Sequence, residues 1–425
     1  MTQLPFSQLN NPVSSLKYHG WNSQPVTIKA FVLYLLCLPL SVQSHAFELF
    51  DSVQVHGFAS QAMFLTSGNN MFGPSISSPG FDFTELGING SWLPWPNLRL
   101  SMQILSRRDG AWSNGSPVID FGLMDYSYNF TSDYRLGVRA GRVRQPYGLY
   151  NDTRDVAFTR PSILLPQSIY YEGTRDFTIS ADGLLVYGEM RKPWGNLNLE
   201  LFGGYARTDN KETQYSFIQQ TYYGTLASDP GFVGRLSYET YDGSLRLALS
   251  GAYTSMRYKP NALGDNLPRG NIGFDPILIS AQYNTEKWTF SSEYSYNFSN
   301  SDFGTSYNTS TNGESYYFQS AYRFAPKWEL MGRYEAYYTN TDDESGKAFY
   351  QNYGLPAYTQ FAKIWTLGLR YDITPWMMVR AEYDYTNGTA LLTPQSTLNP
   401  KTGNPDYFNT VQYWNTFGFL VSFRF

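Results

Sequence analysis

The last stretch of the chain, Tyr413–Phe425 (YWNTFGFLVSFRF), limits the choice of fold more than any other. Tyr413, Phe417, Phe419, Val421, Phe423 and Phe425 share one parity, broken only by Asn415. Gln412, Thr416, Gly418, Ser422 and Arg424 share the other, with Trp414 and Leu420 as exceptions. Successive side chains of a strand project to opposite faces, so the pattern predicts a strand with one apolar and one mostly polar face. At the end of a soluble sheet such an aromatic edge would recruit other chains. A closed barrel has no edge, and its apolar outer face meets lipid.

The same alternation recurs from Phe47 onward in segments of about ten residues. Expected strands cover 51–64, 81–92, 97–107, 118–128, 134–141, 183–191, 196–206, 231–240, 244–255, 274–283, 287–298, 314–324, 327–339, 361–371, 376–385 and the terminal stretch. Tight turns such as Leu93-Pro94-Trp95-Pro96, Lys192-Pro193-Trp194-Gly195, Tyr241-Asp242-Gly243 and Thr374-Pro375 close alternate connections. The connections between them are long and polar. About 16 strands result, with short and long connections alternating and both termini on the short-turn side. The expected fold is all-β: a transmembrane, antiparallel, up-and-down β-barrel with short periplasmic turns and long external loops.

Composition fits that class. Only one apolar run is present, residues 30–42, and it is shorter than the ~20 residues a membrane helix needs. Lys29 precedes it and Ser44-His45-Ala46 follows as a cleavage site, so residues 1–46 are expected to be a signal peptide and 47–425 a single barrel domain. Cys37 lies in the leader, which leaves the mature chain without thiol chemistry or disulfides. The formal net charge is −4, and the leader's Lys17 and Lys29 make the remainder more acidic still, which argues against nucleic acid as a partner.

Catalysis has few candidate groups. His56 is the one histidine after the leader, so histidine-dependent triads and multi-histidine metal sites have little to build on. No cofactor and no metal is expected. Arginines and carboxylates instead crowd the polar parity: Arg99, Arg135, Arg139, Arg235, Arg246, Arg323, Arg333, Arg370 and Arg380 with Glu85, Glu189, Glu200, Glu239, Glu293, Glu329, Glu335, Glu382 and Asp384. A charge facing lipid at the midplane costs about 2–4 kcal/mol, so both sets are expected to line a water-filled lumen. The longest interruption, 142–182, follows the fifth strand and carries apolar residues (Val156, Phe158, Ile163, Leu164, Leu165, Ile169) that imply packing against something.

The final strand, ending on Phe425, resembles the C-terminal signature of bacterial outer-membrane barrel proteins, and the layout of the whole chain resembles the Gram-negative porin family. That resemblance implies an outer-membrane porin for passive diffusion of ions and small hydrophilic solutes, surrounded by outer-membrane lipids and lipopolysaccharide and assembled as a homotrimer. It also implies that the third long loop, 142–182, folds into the pore and sets loop acids against wall arginines. The candidate constriction charges are then Asp152, Arg154, Asp155, Arg160, Glu172, Arg175 and Asp176, with Arg99, Arg135 and Arg139 as candidate wall partners. A loop motif of Pro-Glu-Phe-Gly-Gly type is absent, so the match is one of architecture. An external cap is the alternative for the loop. For the chain, the alternatives are a substrate-specific channel, marked by stacked lumenal aromatics, or an outer-membrane barrel enzyme such as a lipase or protease.

Overall fold

The structure, a computed structural model, describes residues 47–425 apart from 51, 111–112, 209, 219–221, 262–264, 266, 306 and 393–405. The proposed leader, 1–46, lies outside the described residues. Sixteen strands form the wall: β1 (Val53–Thr66), β2 (Gly80–Trp95), β3 (Leu98–Asp109), β4 (Asn114–Asn129), β5 (Tyr134–Arg144), β6 (Ser180–Lys192), β7 (Gly195–Ala206) and β8 (Pro230–Glu239). They continue as β9 (Leu245–Tyr253), β10 (Gly270–Asn284), β11 (Trp288–Asp302), β12 (Asn308–Ala325), β13 (Trp328–Tyr338), β14 (Phe361–Thr374), β15 (Met377–Gly388) and β16 (Tyr413–Arg424). Each pairs antiparallel with its sequence neighbour. β16 closes the ring on β1, from Thr416 opposite Thr66 to Arg424 opposite Phe58. Gly57 N–H donates to the Phe425 carbonyl at 3.1 Å and Phe425 N–H to the Gly57 carbonyl at 2.9 Å, so the last residue completes the seam.

Three short pieces extend this wall. Thr225–Ser228 and Ser255–Lys259 pair with each other as outward continuations of β8 and β9, and Phe47–Phe50 folds back on the start of β1. Two connections expected to be long are hairpins instead. β11 and β12 run on to Asp302 and from Asn308, and β3 and β4 meet across 110–113. The polar run between residues 299 and 313 has no apolar parity to signal a strand. Above the bilayer none is needed, because the ladder alone holds it together.

The wall is inside-out relative to a soluble domain. Leu86 is 44% exposed on the outer face while its neighbour Glu85 is 1% exposed in the lumen. Outward leucines, isoleucines and valines form the lipid belt. Cross-strand aromatic pairs mark its short-turn rim, including Trp288–Tyr322 at 4.3 Å and Trp328–Tyr371 at 4.4 Å between ring centroids. At the periplasmic β8–β9 turn, hydrogen bonds from the Thr240 and Ser244 hydroxyls and the Ser244 N–H hold the Asp242 carboxyl down to about 2.

The two parity exceptions of β16 have a reason. Leu420 and Trp414 both face inward and are buried, Leu420 against apolar residues of the long loop. At Leu420 the lumen is filled by protein, and an apolar side chain faces inward there without meeting water.

Gly141 in β5 has φ +121°, and a Cβ there would lie 2.4 Å from the Gly122 carbonyl oxygen of β4. Gly141→Val is expected to cost roughly 2 kcal/mol or more, read as a lower urea midpoint of the heat-modifiable, folded form. An unchanged midpoint would contradict this account of the β4–β5 contact.

Candidate functional site

β5 runs to Arg144 and β6 starts at Ser180, so the long loop proper is residues 145–179. Its two ends are held together by Asn151, whose Nδ2 donates to the carbonyls of Gln145 at 2.9 Å and Thr178 at 3.0 Å. Between them the chain makes short helical turns at Asn151–Thr153 and Glu172–Thr174 and one short helix at Arg175–Ile179. None is long enough to satisfy its own peptide groups. The loop crosses the lumen and reaches the far wall.

That far wall supplies the missing partners. Three carboxylates accept loop N–H groups: Glu293 of β11 from Leu149 at 3.0 Å, Glu382 of β15 from Ile163 at 2.8 Å, and Glu335 of β13 from Ser168 at 2.8 Å. Three arginines donate to loop carbonyls: Arg235 of β8 to Gly148 at 3.0 Å, Arg370 of β14 to Phe158 at 3.2 Å, and Arg380 of β15 to Arg160 at 3.0 Å. Apolar contacts complete the seat. Ile163, Leu164, Ala157 and Phe158 pack on Ala62, Phe64, Met378 and Leu420 of the wall. Tyr150, Leu165 and Tyr170 pack on Tyr317.

The seven candidate loop charges all sit in ion pairs. Arg160 meets Glu85 of β2 at 2.7 Å. Glu172 accepts from Arg107 of β3 at 2.7 Å and from loop Arg154 at 3.1 Å. Asp155 binds Arg144 and Arg175, and takes a hydrogen bond from Gln103 of β3 at 3.1 Å. Asp176 lies 3.6 Å from Arg175 and 3.5 Å from Arg207. Asp152, still partly exposed, meets Arg235 at 2.8 Å. Arg154, Asp155, Arg160, Glu172 and Arg175 are buried.

The three candidate wall arginines have other partners. Arg135 faces Glu189 at 4.0 Å, and Arg139 faces Asp125 at 3.2 Å and Glu200 at 3.6 Å, all on the wall. Arg99 is exposed near the short-turn end of β3. Loop acids do meet wall arginines, Glu172 at Arg107, Asp155 at Arg144 and Asp152 at Arg235, but these are not the three expected ones. Acids and arginines occur on both loop and wall, as Arg160 on Glu85 shows, and all seven loop charges are paired, because an unpaired buried charge would be costly.

Several partners were not among the candidates. Arg107 and Arg144 lie at or beyond the expected strand ends. Asp120 is turned inward by a bulge: Gln103 pairs with Phe121 and Ile104 with Ile119, so Asp120 has no partner on β3. It lies instead 2.5 Å from Arg144. Only the lumenal parity of Arg107, shared with Arg99, signalled any of these positions.

Open space remains on both sides of the loop. Towards the short turns, a cavity of about 320 Å³ is lined by Arg135, Arg139, Arg235, Glu189, Glu200 and the loop's Gly148 and Leu149. Towards the long loops, one of about 420 Å³ is lined by Arg107, Asp109, Glu172, Arg175, Asp176 and Arg207. A third, smaller cavity of about 70 Å³ lies beside β8–β13. Among the described residues no group of three or more His, Cys, Asp or Glu is placed to hold a metal ion.

Arg160→Ala should destabilise the fold by about 3–5 kcal/mol, because it strips a buried carboxylate of a partner. The double variant Arg160→Gln with Glu85→Gln should recover most of that loss. Urea unfolding of the folded form measures both, and equal losses would contradict the pairing.

Comparison with known proteins gives a consistent picture. Residues 205–423 match the family described as "Putative beta-barrel porin-2, OmpL-like". The outer membrane channel DcaP of Acinetobacter baumannii is similar in structure, with a TM-score of 0.56, 11% identity, and coverage of 89% of this chain and 99% of that one. OmpT of Vibrio cholerae, in a trimer form, gives 0.53 at 14% identity, covering 88% and 99%. OmpF of Salmonella typhi, in complex with daunomycin, gives 0.52 at 12% identity, covering 88% and 97%. At these identities the likeness is one of fold. No curated protein matches the sequence.

Proposed function

This chain belongs to the OmpL-like β-barrel porin family, and from that premise we propose that loop 145–179 narrows its water-filled lumen into a passage for small solutes. The protein is an outer-membrane porin through which ions and small hydrophilic solutes diffuse passively. The observation that carries the proposed role of the loop is its bonding to the opposite wall at Glu293, Glu335 and Glu382. A loop tethered at both ends and along its length leaves only the space beside it for water and solute. Solutes larger than that gap are excluded by size, and smaller ones meet a lining whose arginines and carboxylates alternate, as the periplasmic cavity shows.

We further read residues 1–46 as the signal peptide that sends the chain across the inner membrane. A homotrimer is the assembly that the trimeric form of the Vibrio cholerae neighbour supports. Lipids, lipopolysaccharide among them, would cover the remaining outer belt. The enzyme alternative has little support. His56 is exposed at the periplasmic end of β1.

Planar-bilayer recording tests the reading. The purified protein should give ohmic openings in groups of three. Glu335→Ala combined with Glu382→Ala removes the acceptors at Ser168 and Ile163, and is expected to give larger, noisier steps. Silence from folded protein would overturn the channel, and steps unaltered in the double variant would overturn the role given to the loop.

A further inference from the structure

The small cavity beside β8–β13 differs in kind from the two larger ones. No Asp, Glu, Lys or Arg lines it. Its lining includes Tyr147, Tyr171, Tyr337 and Phe274 together with Ile169 and Pro276. Arg160, Glu172 and Asp155 of the loop pair with residues of β2, β3 and β5, whereas Tyr150, Leu165 and Tyr170 pack on Tyr317 of β12. The nearby carboxylates are already engaged: Glu293 accepts from Leu149 N–H and from the Ser280 and Tyr317 hydroxyls, and Glu335 from Ser168 N–H.

Hydrogen-bonding capacity remains inside it. The Ser295 hydroxyl donates to Asn297 Oδ1 at 2.9 Å, which leaves the Asn297 NH2 group for the cavity. The Tyr337 hydroxyl also lines the cavity, with no protein partner among the described residues. Ring faces flanked by a few neutral donors and acceptors suit a solute that is apolar on its faces and hydroxylated at its edge. An ion would surrender its hydration here and meet no opposite charge. The volume of about 70 Å³ holds roughly five to seven water molecules. That is room for one small ring.

We propose that this cavity is a subsite for one uncharged, polyhydroxylated ring of monosaccharide size, and that it makes the channel favour such solutes over anions of the same shape. The inference rests on the open-channel reading for its consequence in transport, though binding itself can be measured without conduction.

The probes are d-glucose and d-glucuronate, which share a ring and differ by one negative charge. Calorimetric titration into the full-length folded protein in micelles, alongside current recordings in bilayers, should show glucose binding and interrupting the current at millimolar concentration. Glucuronate should do so at least fivefold more weakly. Asn297→Ala and Tyr337→Phe should each weaken glucose binding about five- to tenfold, the effect of losing one hydrogen bond. Tyr337→Phe removes only a hydroxyl and serves if Asn297→Ala does not fold. Equal affinity for the two probes, or glucose binding unmoved by either variant, would overturn the subsite. Conductance without glucose binding would also overturn the subsite and leave the channel intact. Glucose binding without conductance would uphold the subsite and overturn the channel.

Discussion

An irregular segment of backbone inside a barrel has no ladder of its own, and every peptide group it buries needs a partner. In this protein the wall provides those partners through charged side chains rather than through strands. Glu293, Glu335 and Glu382 accept hydrogen bonds from N–H groups of the loop, and Arg235, Arg370 and Arg380 donate hydrogen bonds to its carbonyls. The charged parity of the strands therefore has two uses. Part of it lines water, and part of it holds the loop in place.

The consequences spread outward from that seam. Hydrogen bonds to ionised groups are stronger than neutral ones, but desolvating an ion offsets much of the gain unless an opposite charge is close. The loop answers with paired charges: Arg160 on Glu85, Glu172 between Arg107 and Arg154, and Asp155 between Arg144 and Arg175. Those three pairs gather on the β2–β5 side, while Tyr150, Leu165 and Tyr170 meet Tyr317 of β12 on the other. Apolar contact does the rest, with Ile163 and Leu420 both fully buried. One asymmetric loop thus divides the lumen into charged chambers and an uncharged one.

Much of this was legible in the sequence. Two-residue alternation located all sixteen wall strands, because a lipid belt outside and water inside impose opposite chemistry on alternate residues. The lumenal parity also named Glu85, Arg235, Glu293, Arg333, Glu335, Arg370, Arg380 and Glu382 as lining residues. What it did not reveal was which of them met the loop. Asp120 depends on a bulge, and a single extra residue leaves no trace in composition. Arg144 lay past an expected strand end. Arg135 and Arg139 were placed opposite loop acids by family resemblance, yet cross-strand neighbours claim them. Leu420 and Trp414 looked like lapses in a pattern and instead mark where the lumen is filled with protein.

The central claim is that the seated loop sets the width of the water path. The most direct measurement is exclusion of graded polyethylene glycols from the conducting pore, with and without residues 146–178 replaced by a short turn. The account predicts a clearly larger cut-off and a several-fold larger conductance for the folded, loop-deleted protein. The same cut-off and the same conductance in both would contradict it, and would place the narrowest point of the channel in the wall itself.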